Sequence, residues 1–569
     1  MASYVTVTEI VTQTPYSIHT TVLGGTTTVY SSHGSTITSA SVASSPTGKD
    51  SQNGTSSSDT DQSKGVVVVY HWSSEQTFLG TYLAVLIAVV YRVIWTLIYS
   101  NFNLVEPFRQ LSESDGAAAE RAFFSFYQSQ SNLLGPLPAI LRRRWALALA
   151  ATAYLIACIL PALASETIYV DTNWGCLDPT SGKNPCRPRM TANVTILRVI
   201  QGLLVLGAIG LLALTSVLLI TKTGLPTHPS SMATVASVLS PALLEDFNEV
   251  PADASGDSMA RAMHGRRYRL MHYKDTSGAA GYGIVPLTVL TAEDQDERVP
   301  STYGDGHHYE PVKSSAFETD EQAASSRMRP MDFLLAFVVL GAFSVVLAYY
   351  LDNDLKDGFN IFFNSNTFGP RFILTGAGTV IATLWKTTEQ SATIMAPYIR
   401  LAKRPSSATS TILFAPSNTP VMSTVTALYH RYFFIAAVTG TTFCAEALNI
   451  VISGVPYAAG QTWLQFLVSA YISIGVLSVM ILVVALVIFS RRAEPKIPRK
   501  PDTLGAVMSY MAGSRMLDDF DGLNGQGDDN RDRRVRLLRK KYVFKKMTRR
   551  DGKYAWTVDE DSARLSYRS

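Results

Sequence analysis

Residues 463–489 read WLQFLVSAYISIGVLSVMILVVALVIF, a run without one charged side chain. An α-helix rises about 1.5 Å per residue, so roughly 20 mostly apolar residues cross the hydrocarbon core of a bilayer. Residues Ile196–Ile220 repeat that pattern, and five more stretches follow it less purely: Phe78–Tyr99, Trp145–Ser165, Met331–Leu351, Gly369–Trp385 and Tyr432–Ile452. The stretch from Gly369 is the weakest, because Thr, Gly and Arg371 dilute it. One such run fits a buried helix of a soluble protein. Seven in one chain predict an all-α membrane protein with about seven transmembrane helices.

Composition agrees. Hydrophobic residues make up 47% and charged residues 17% of the 569 residues, against about 25% charged in an average soluble domain. A formal net charge of +4 is too small to imply nucleic-acid binding. Residues 1–30 lack a charged start followed by an apolar core, so insertion is expected to rely on the first spanning helix.

Lys and Arg flank some loops and avoid others, which sets orientation. Arg109, Arg121, Arg142, Arg143 and Arg144 lie between the first two spans. Lys386, Arg400, Lys403, Arg404 and Arg431 lie between the fifth and sixth, and Arg491, Arg492, Lys496, Arg499 and Lys500 follow the seventh. Residues 453–462 hold no basic residue and 352–367 hold only Lys356. The amino terminus is therefore expected outside and the carboxyl terminus in the cytoplasm, in the plasma membrane or the secretory pathway. Cys176 and Cys186 share the 166–195 loop, close enough for a small disulfide loop in an oxidising compartment. The sequons at Asn193 and at Asn53 fall on the same expected side, as candidate N-glycosylation sites.

Residues 1–64 are dominated by Ser and Thr and cannot bury enough apolar surface to fold alone. They read as an O-glycosylated stalk or as a plain disordered tail. Two polar segments, at 222–330 and 490–569, are expected inside. Each opens with apolar residues at helical spacing: Met232, Val235, Leu239 and Leu243 in the first, Leu504, Val507, Met508, Met511 and Met516 in the second. These faces suit either the membrane surface or packing on the bundle. Arg533, Arg534, Arg536, Arg539, Lys540 and Lys541 form either a solvated face or an anionic-lipid contact, each residue near such a leaflet contributing about 1 kcal/mol.

The chain also resembles itself. Trp95 is followed by Pro107-Phe108-Arg109-Gln110-Leu111, and 290 residues on Trp385 is followed by Pro397-Tyr398-Ile399-Arg400-Leu401. Phe78 and Phe368 keep that spacing, and Cys158 and Cys444 nearly do. Ser230-Ser231-Met232 with Glu245-Asp246-Phe247 parallels Asp502-Thr503-Leu504 with Asp518-Asp519-Phe520, and Arg267-Tyr268 parallels Lys541-Tyr542. The expected organisation is a tail at 1–64, a first three-helix repeat with its cytoplasmic segment at 75–330, a linking helix and outer loop at 331–367, and a second repeat at 368–569. The linking helix lets the second copy keep the first copy's orientation, as in parallel-repeat transporters.

The passage Trp95…Glu106-Pro107-Phe108-Arg109-Gln110-Leu111 with Gly116-Ala117-Ala118-Ala119-Glu120 resembles a fungal family of multi-spanning membrane proteins, domain of unknown function 3433. So do Arg266-Arg267-Tyr268-Arg269-Leu270 with Tyr282-Gly283-Ile284, and Pro501-Asp502-Thr503 leading to Gly513-Ser514-Arg515. The second copy departs from the first, with Ala396 where the first has Glu106. The resemblance implies a fungal membrane protein and carries no established activity.

Charges inside a membrane are costly and often functional. Arg92 lies late in the first span, where it is placed to snorkel to the headgroups. Glu446 sits deeper in the sixth, either as a proton or cation site or as one half of a pair. His307-His308 has no ligand-type neighbour at zinc spacing. With no phosphate loop, dinucleotide fingerprint or nucleophile elbow, no catalytic, cofactor or metal site is expected. The expected role is a non-enzymatic, wall-facing surface, interaction or sensing protein whose cytoplasmic segments bind protein or anionic-lipid partners. The alternative is a transporter or channel of parallel repeats with Glu446 near its pathway.

Overall fold

The computed structural model describes residues 75, 78–124, 139–140, 144–171, 189–220, 224–225, 229–251, 254–274, 280–287, 330–352, 357–363, 368–415, 419–456, 463–490, 499–523 and 527–561. By its contacts the chain forms two units. The smaller comprises residues 1–80, 168–192 and 458–461, and the larger all the rest. In the smaller unit, β2 (Ile168–Asp171) pairs antiparallel with β3 (Arg189–Ala192), and Gly80 is close to Ile168 and Met190.

The larger unit is mostly helical. A π-helical turn, Leu79–Leu83, leads into α1 (Ala84–Leu111), followed by α2 (Trp145–Ala164) and α3 (Val194–Ile220). After the short helices α4 (Met232–Ala236), α5 (Pro241–Glu249) and α6 (Gly256–Ala262) comes α7 (Pro330–Asp352). Then follow α8 (Gly358–Phe363), α9 (Pro370–Lys403), α10 (Pro420–Tyr429), α11 (Phe433–Ile452), α12 (Trp463–Ser490), α13 (Leu504–Met511) and α14 (Asp528–Leu537). Five helices among the described residues are long and apolar enough to cross a membrane: Leu79–Leu111, Trp145–Ala164, Val194–Ile220, Phe433–Ile452 and Leu464–Ser490. The two other stretches read as spans are helical as well. Met331–Leu351 falls in the 23-residue α7, and Gly369–Trp385 begins the 34-residue α9. Exposed Leu and Val on α3 and α12 have no protein cover, as expected of faces turned to lipid.

The expectation of an all-α fold needs correction. Two three-stranded sheets stand beside the helices, in the orders β1 (Ala117–Ala118), β4 (Arg267–Lys274), β5 (Ala280–Pro286) and β6 (Ser406–Ser407), β7 (Lys541–Thr548), β8 (Tyr554–Glu560). The cause is local: in β4, buried Tyr268 and Leu270 alternate with more exposed Arg267, Arg269 and Met271, a period of two that no helix tolerates. Ala280 and Gly281 open β5, and residues 275–279 lie outside the described ones.

The two sheets match bond for bond. Ala117 pairs with Tyr268, and Ser406 with Tyr542. Ser240 Oγ donates to the Ile284 carbonyl at 2.5 Å, and Ser514 Oγ to the Val558 carbonyl at 2.6 Å. Tyr268 donates to Asp246 and Tyr542 to Asp519, both at 2.7 Å. Arg266 completes the first carboxylate at 2.7 Å and Lys540 the second at 2.5 Å.

Each polar segment holds the other half of the chain. The Ala233 N–H of α4 donates to the Ile412 carbonyl at 3.2 Å, and the Gly505 N–H of α13 to the Phe123 carbonyl at 2.9 Å. A Cβ at Gly505 would meet Phe124 Cε1 at 2.9 Å and the Phe123 carbonyl oxygen at 3.3 Å, so a larger residue there would have to displace the Phe124 ring. Arg531 donates to Thr234 Oγ1 at 3.1 Å, and Arg499 to the Ala254 carbonyl at 2.9 Å. Every residue of α4 and of α13 is buried. Their apolar faces therefore pack in the protein core rather than lying on a membrane surface.

The Tyr542–Asp519 bond yields a test. Burial and Asp519 together hold the Tyr542 phenol well above its ordinary value of 10. A raised value means the fold favours the protonated phenol. Its stabilisation is complete below pH 10 and is lost as the pH climbs beyond it. Tyr542→Phe should lower the melting temperature at neutral pH, since a hydrogen bond to a charged group contributes about 1.5–3 kcal/mol. It should also make the alkaline fall of the melting temperature shallower. An alkaline fall of unchanged steepness would show that this phenol does not govern it.

Candidate functional site: a polar seam among the long helices

Along α9, Thr375, Thr379, Thr383, Lys386, Glu389 and Thr393 are all buried. Their spacing of three and four residues puts them on one face of the helix. The threonines first satisfy themselves: Thr383 Oγ1 donates to the Thr379 carbonyl and Thr393 Oγ1 to the Glu389 carbonyl, both at 2.8 Å. Across from them, α11 contributes Thr442, Glu446 and Asn449. Thr379 donates weakly to Asn449 Oδ1 at 3.5 Å. Gly378 permits that approach, because a Cβ there would meet Asn449 Oδ1 at 2.7 Å.

Two ion pairs lie in the seam. Lys386 Nζ reaches Glu389 at 2.8 Å, and Thr442 donates to the same carboxylate oxygen at 2.9 Å. The Arg92 guanidinium of α1 donates to Glu446 of α11, with side-chain exposures of 2% and 16%. Arg92 therefore does not snorkel; it is enclosed in protein and meets the second predicted charge. Beside it on α2 lie Tyr154 and Cys158, one helical turn apart, with Thr383 next to both. Lower on α1, Glu106 is bracketed by Arg109 at 2.7 and 2.9 Å and by Gln110 at 2.8 Å. Glu166 caps the start of α9, accepting from the Gly369 and Phe372 N–H groups at 3.2 and 3.0 Å.

The arrangement neutralises each buried charge, and it leaves some polar atoms over. Thr375 Oγ1 and Asn449 Nδ2 are buried without a hydrogen-bond partner. Such atoms suit water or a small hydrogen-bonding solute better than lipid or apolar protein. Among the described residues, no three His, Cys, Asp or Glu side chains gather at metal-binding distance.

Of the residues singled out in the sequence, Arg92 and Glu446 come together although 354 positions separate them. Asn193 precedes α3 and accepts from the Ile196 N–H at 3.3 Å, as an N-cap does. Cys176, Cys186, Asn53 and the His307-His308 pair lie outside the described residues. Sequence reading missed Glu389 and Thr442, and it counted Lys386 only as a loop charge. The threonine period from 375 to 393 was the available signal.

Several long apolar helices enclosing paired charges define an integral membrane protein. The family model described as Protein of unknown function (DUF3433) matches the chain twice, over residues 78–169 and 368–457. The chain thus carries two DUF3433 regions, and the resemblance read from the Glu106–Leu111 passage is shown. No curated protein and no solved structure matches the chain.

Removing one partner of a buried ion pair leaves a bare charge and costs about 3–5 kcal/mol, whereas apolar replacement of both is often neutral. Arg92→Leu and Glu446→Leu should each lower the melting temperature of the purified protein by many degrees. The double variant should recover most of the loss. Additive losses in the double variant would mean that the two side chains do not depend on each other.

Proposed function

We propose that this chain is a non-enzymatic multi-pass membrane protein with an interaction or sensing role. Its Ser/Thr-rich tail faces the cell wall, and its folded polar segments face the cytoplasm of a fungal cell. The interlock of α4 and α13 with the opposite halves of the chain carries this reading. It makes one rigid body from two segments that would otherwise be loops, a form suited to presenting a fixed surface to protein or anionic-lipid partners. The distribution of Lys and Arg supports the orientation.

In this reading the membrane is crossed seven times. The 23 residues of α7 extend about 35 Å and the 34 of α9 about 51 Å, each enough for a core about 30 Å thick. The paired bonds of the two sheets and the doubled family match support two parallel three-helix repeats, with α7 as the linking helix. Within α3, 27 residues exceed the span requirement by several, which leaves room for Asn193 to clear the bilayer and carry a glycan.

A carboxyl-tagged chain treated with glycosidase, with its location scored in living cells, tests this. The expected result is a mass loss that shrinks in Asn193→Gln and in a chain lacking residues 1–64, with the protein at the cell surface. No mass change together with a purely internal location would overturn the wall-facing assignment.

The second reading, a transporter of parallel repeats, draws on Thr375 Oγ1 and Asn449 Nδ2, which are buried without a hydrogen-bond partner. On that reading Glu446→Gln abolishes proton-coupled or cation flux into vesicles containing the purified chain. Equal flux in both proteins would dismiss Glu446 as part of a pathway.

A further inference from the structure

Where α11 begins, the turn His430-Arg431-Tyr432 gathers cations from three directions. Arg400, near the end of α9, donates to the His430 carbonyl at 2.8 Å and places its guanidinium 4.5 Å from the Tyr432 ring centre. Arg404 follows four residues later, where α9 gives way to extended backbone, and its charge acts on Tyr432. Arg431 holds a left-handed backbone at φ 57° and is exposed. Arg536, with 60% of its side chain exposed, is carried by α14, which packs against residues 408–410, and the Ser410 carbonyl there accepts from the Tyr432 hydroxyl at 2.5 Å. Burial first, then Arg400 and Arg536, depress the basicity of the His430 imidazole.

Acids do not balance the cluster. Asp532 lies 3.8 Å from Arg536 and is shared with Arg531 at 3.0 Å. Among the described residues, no carboxylate pairs with Arg400, Arg404 or Arg431, and the buried Nε of Arg400 has no hydrogen-bond partner. Exposed apolar side chains border the cations: Tyr429 at 82%, Phe433 at 69% and Leu537 at 73% exposure. Phe433 opens one of the five candidate spans, so this rim belongs at the membrane boundary, where aromatic side chains sit at headgroup depth.

We infer that Arg400, Arg404, Arg431 and Arg536 form a cradle for the phosphate of an anionic phospholipid whose acyl chains lie along Tyr429 and Phe433. Guanidinium groups bind phosphate by paired N–H donors, and a weakly hydrated cation is easily moved to a headgroup. The inference deepens the lipid-partner part of the proposed function. It rests on α11 crossing the membrane and not on the wall-facing tail, so the glycosidase test and this one fail separately.

The experiment uses the full chain in neutral detergent micelles doped with phosphatidylserine or phosphatidylcholine, and it reads thermal stability and retained lipid by native mass spectrometry. Phosphatidylserine should bind and stabilise well beyond phosphatidylcholine. The exposed arginines are neutralised together as Arg404→Gln, Arg431→Gln and Arg536→Gln, leaving the packed Arg400 intact. At about fivefold per arginine near an anionic headgroup, the triple variant should bind at least tenfold more weakly. A charge-matched control, Lys545→Gln, Lys546→Gln and Arg550→Gln, should bind as the unaltered chain does. Unchanged binding in the triple variant, or equal loss in the control, would overturn the cradle. Equal stabilisation by inorganic phosphate at the same concentration would assign it to a soluble anion and overturn the lipid reading.

Discussion

Two backbone hydrogen bonds organise the larger unit: Ala233 to Ile412 and Gly505 to Phe123. Each joins a helix from one polar segment to the loop that follows a long helix of the opposite half. Phe123 and Ile412 stand 289 residues apart, the spacing that also relates Ala117 to Ser406. A contact in which each party gives what it receives is the isologous arrangement of a two-fold dimer, here within one chain. The consequence is mutual dependence. Neither α4 nor α13 has enough residues to be stable as an isolated helix. Both exist because Ser231 and Thr503 cap them and because the opposite half buries them. The core reflects this, since Phe123, Met232, Tyr398, Leu504 and Phe544 belong to one continuous apolar cluster.

Long apolar runs were legible because length alone distinguishes a spanning helix, and they hold in Trp145–Ala164, Val194–Ile220 and Phe433–Ile452 almost to the residue. The spacing between Trp95 and Trp385 was legible for the same reason: it requires no knowledge of three-dimensional contact. The strands were not. Tyr268 and Tyr542 were noticed as matching letters, but seven- and eight-residue strands with mixed polarity give a short signal, and their two-residue partners, β1 and β6, give none. The buried faces of α4 and α13 were visible as apolar periodicity, yet periodicity cannot distinguish a protein core from a bilayer surface. Only the burial of Ser231, Thr234 and Ser509 along with the apolar residues separates the two. The Arg92–Glu446 pair lies beyond sequence reading in principle, because nothing local relates positions so far apart.

The polar seam adds a difference between the halves. Under the proposed duplication, Thr375, Thr379 and Thr383 correspond at the 290-residue spacing to Val85, Val89 and Val93. Valine and threonine share a shape and differ by a hydroxyl, so packing alone does not favour threonine here. A hydroxyl in a helix that already bonds its own backbone adds little stability. The seam therefore reflects a demand on the second half that the first half does not share, either for water and solutes or for pairing with its neighbours.

The ion pair resolves part of that demand. Under the proposed duplication Arg92 corresponds to Ala382, and Glu446 to Cys158, because Trp145–Ala164 and Phe433–Ile452 run in register 288 residues apart, so the pair occurs once where two-fold correspondence would allow it twice. A buried pair adds little net stability over an apolar substitute, because removing both ions from water is costly. What it adds is a penalty on every alternative pairing. If α9 took the place of α1 beside α11, Glu446 would face Ala382 and remain an unpaired charge in a dry site. If α2 took the place of α11 beside α1, Arg92 would face the uncharged Cys158 with the same result. Two similar halves that can each bind their own kind need some element to specify which surface meets which, and one asymmetric charge pair suffices. The single buried Asn of a coiled coil fixes register by the same logic. On this argument, under the proposed duplication, the Arg92–Glu446 pair penalises the near-symmetric rival assembly of the bundle.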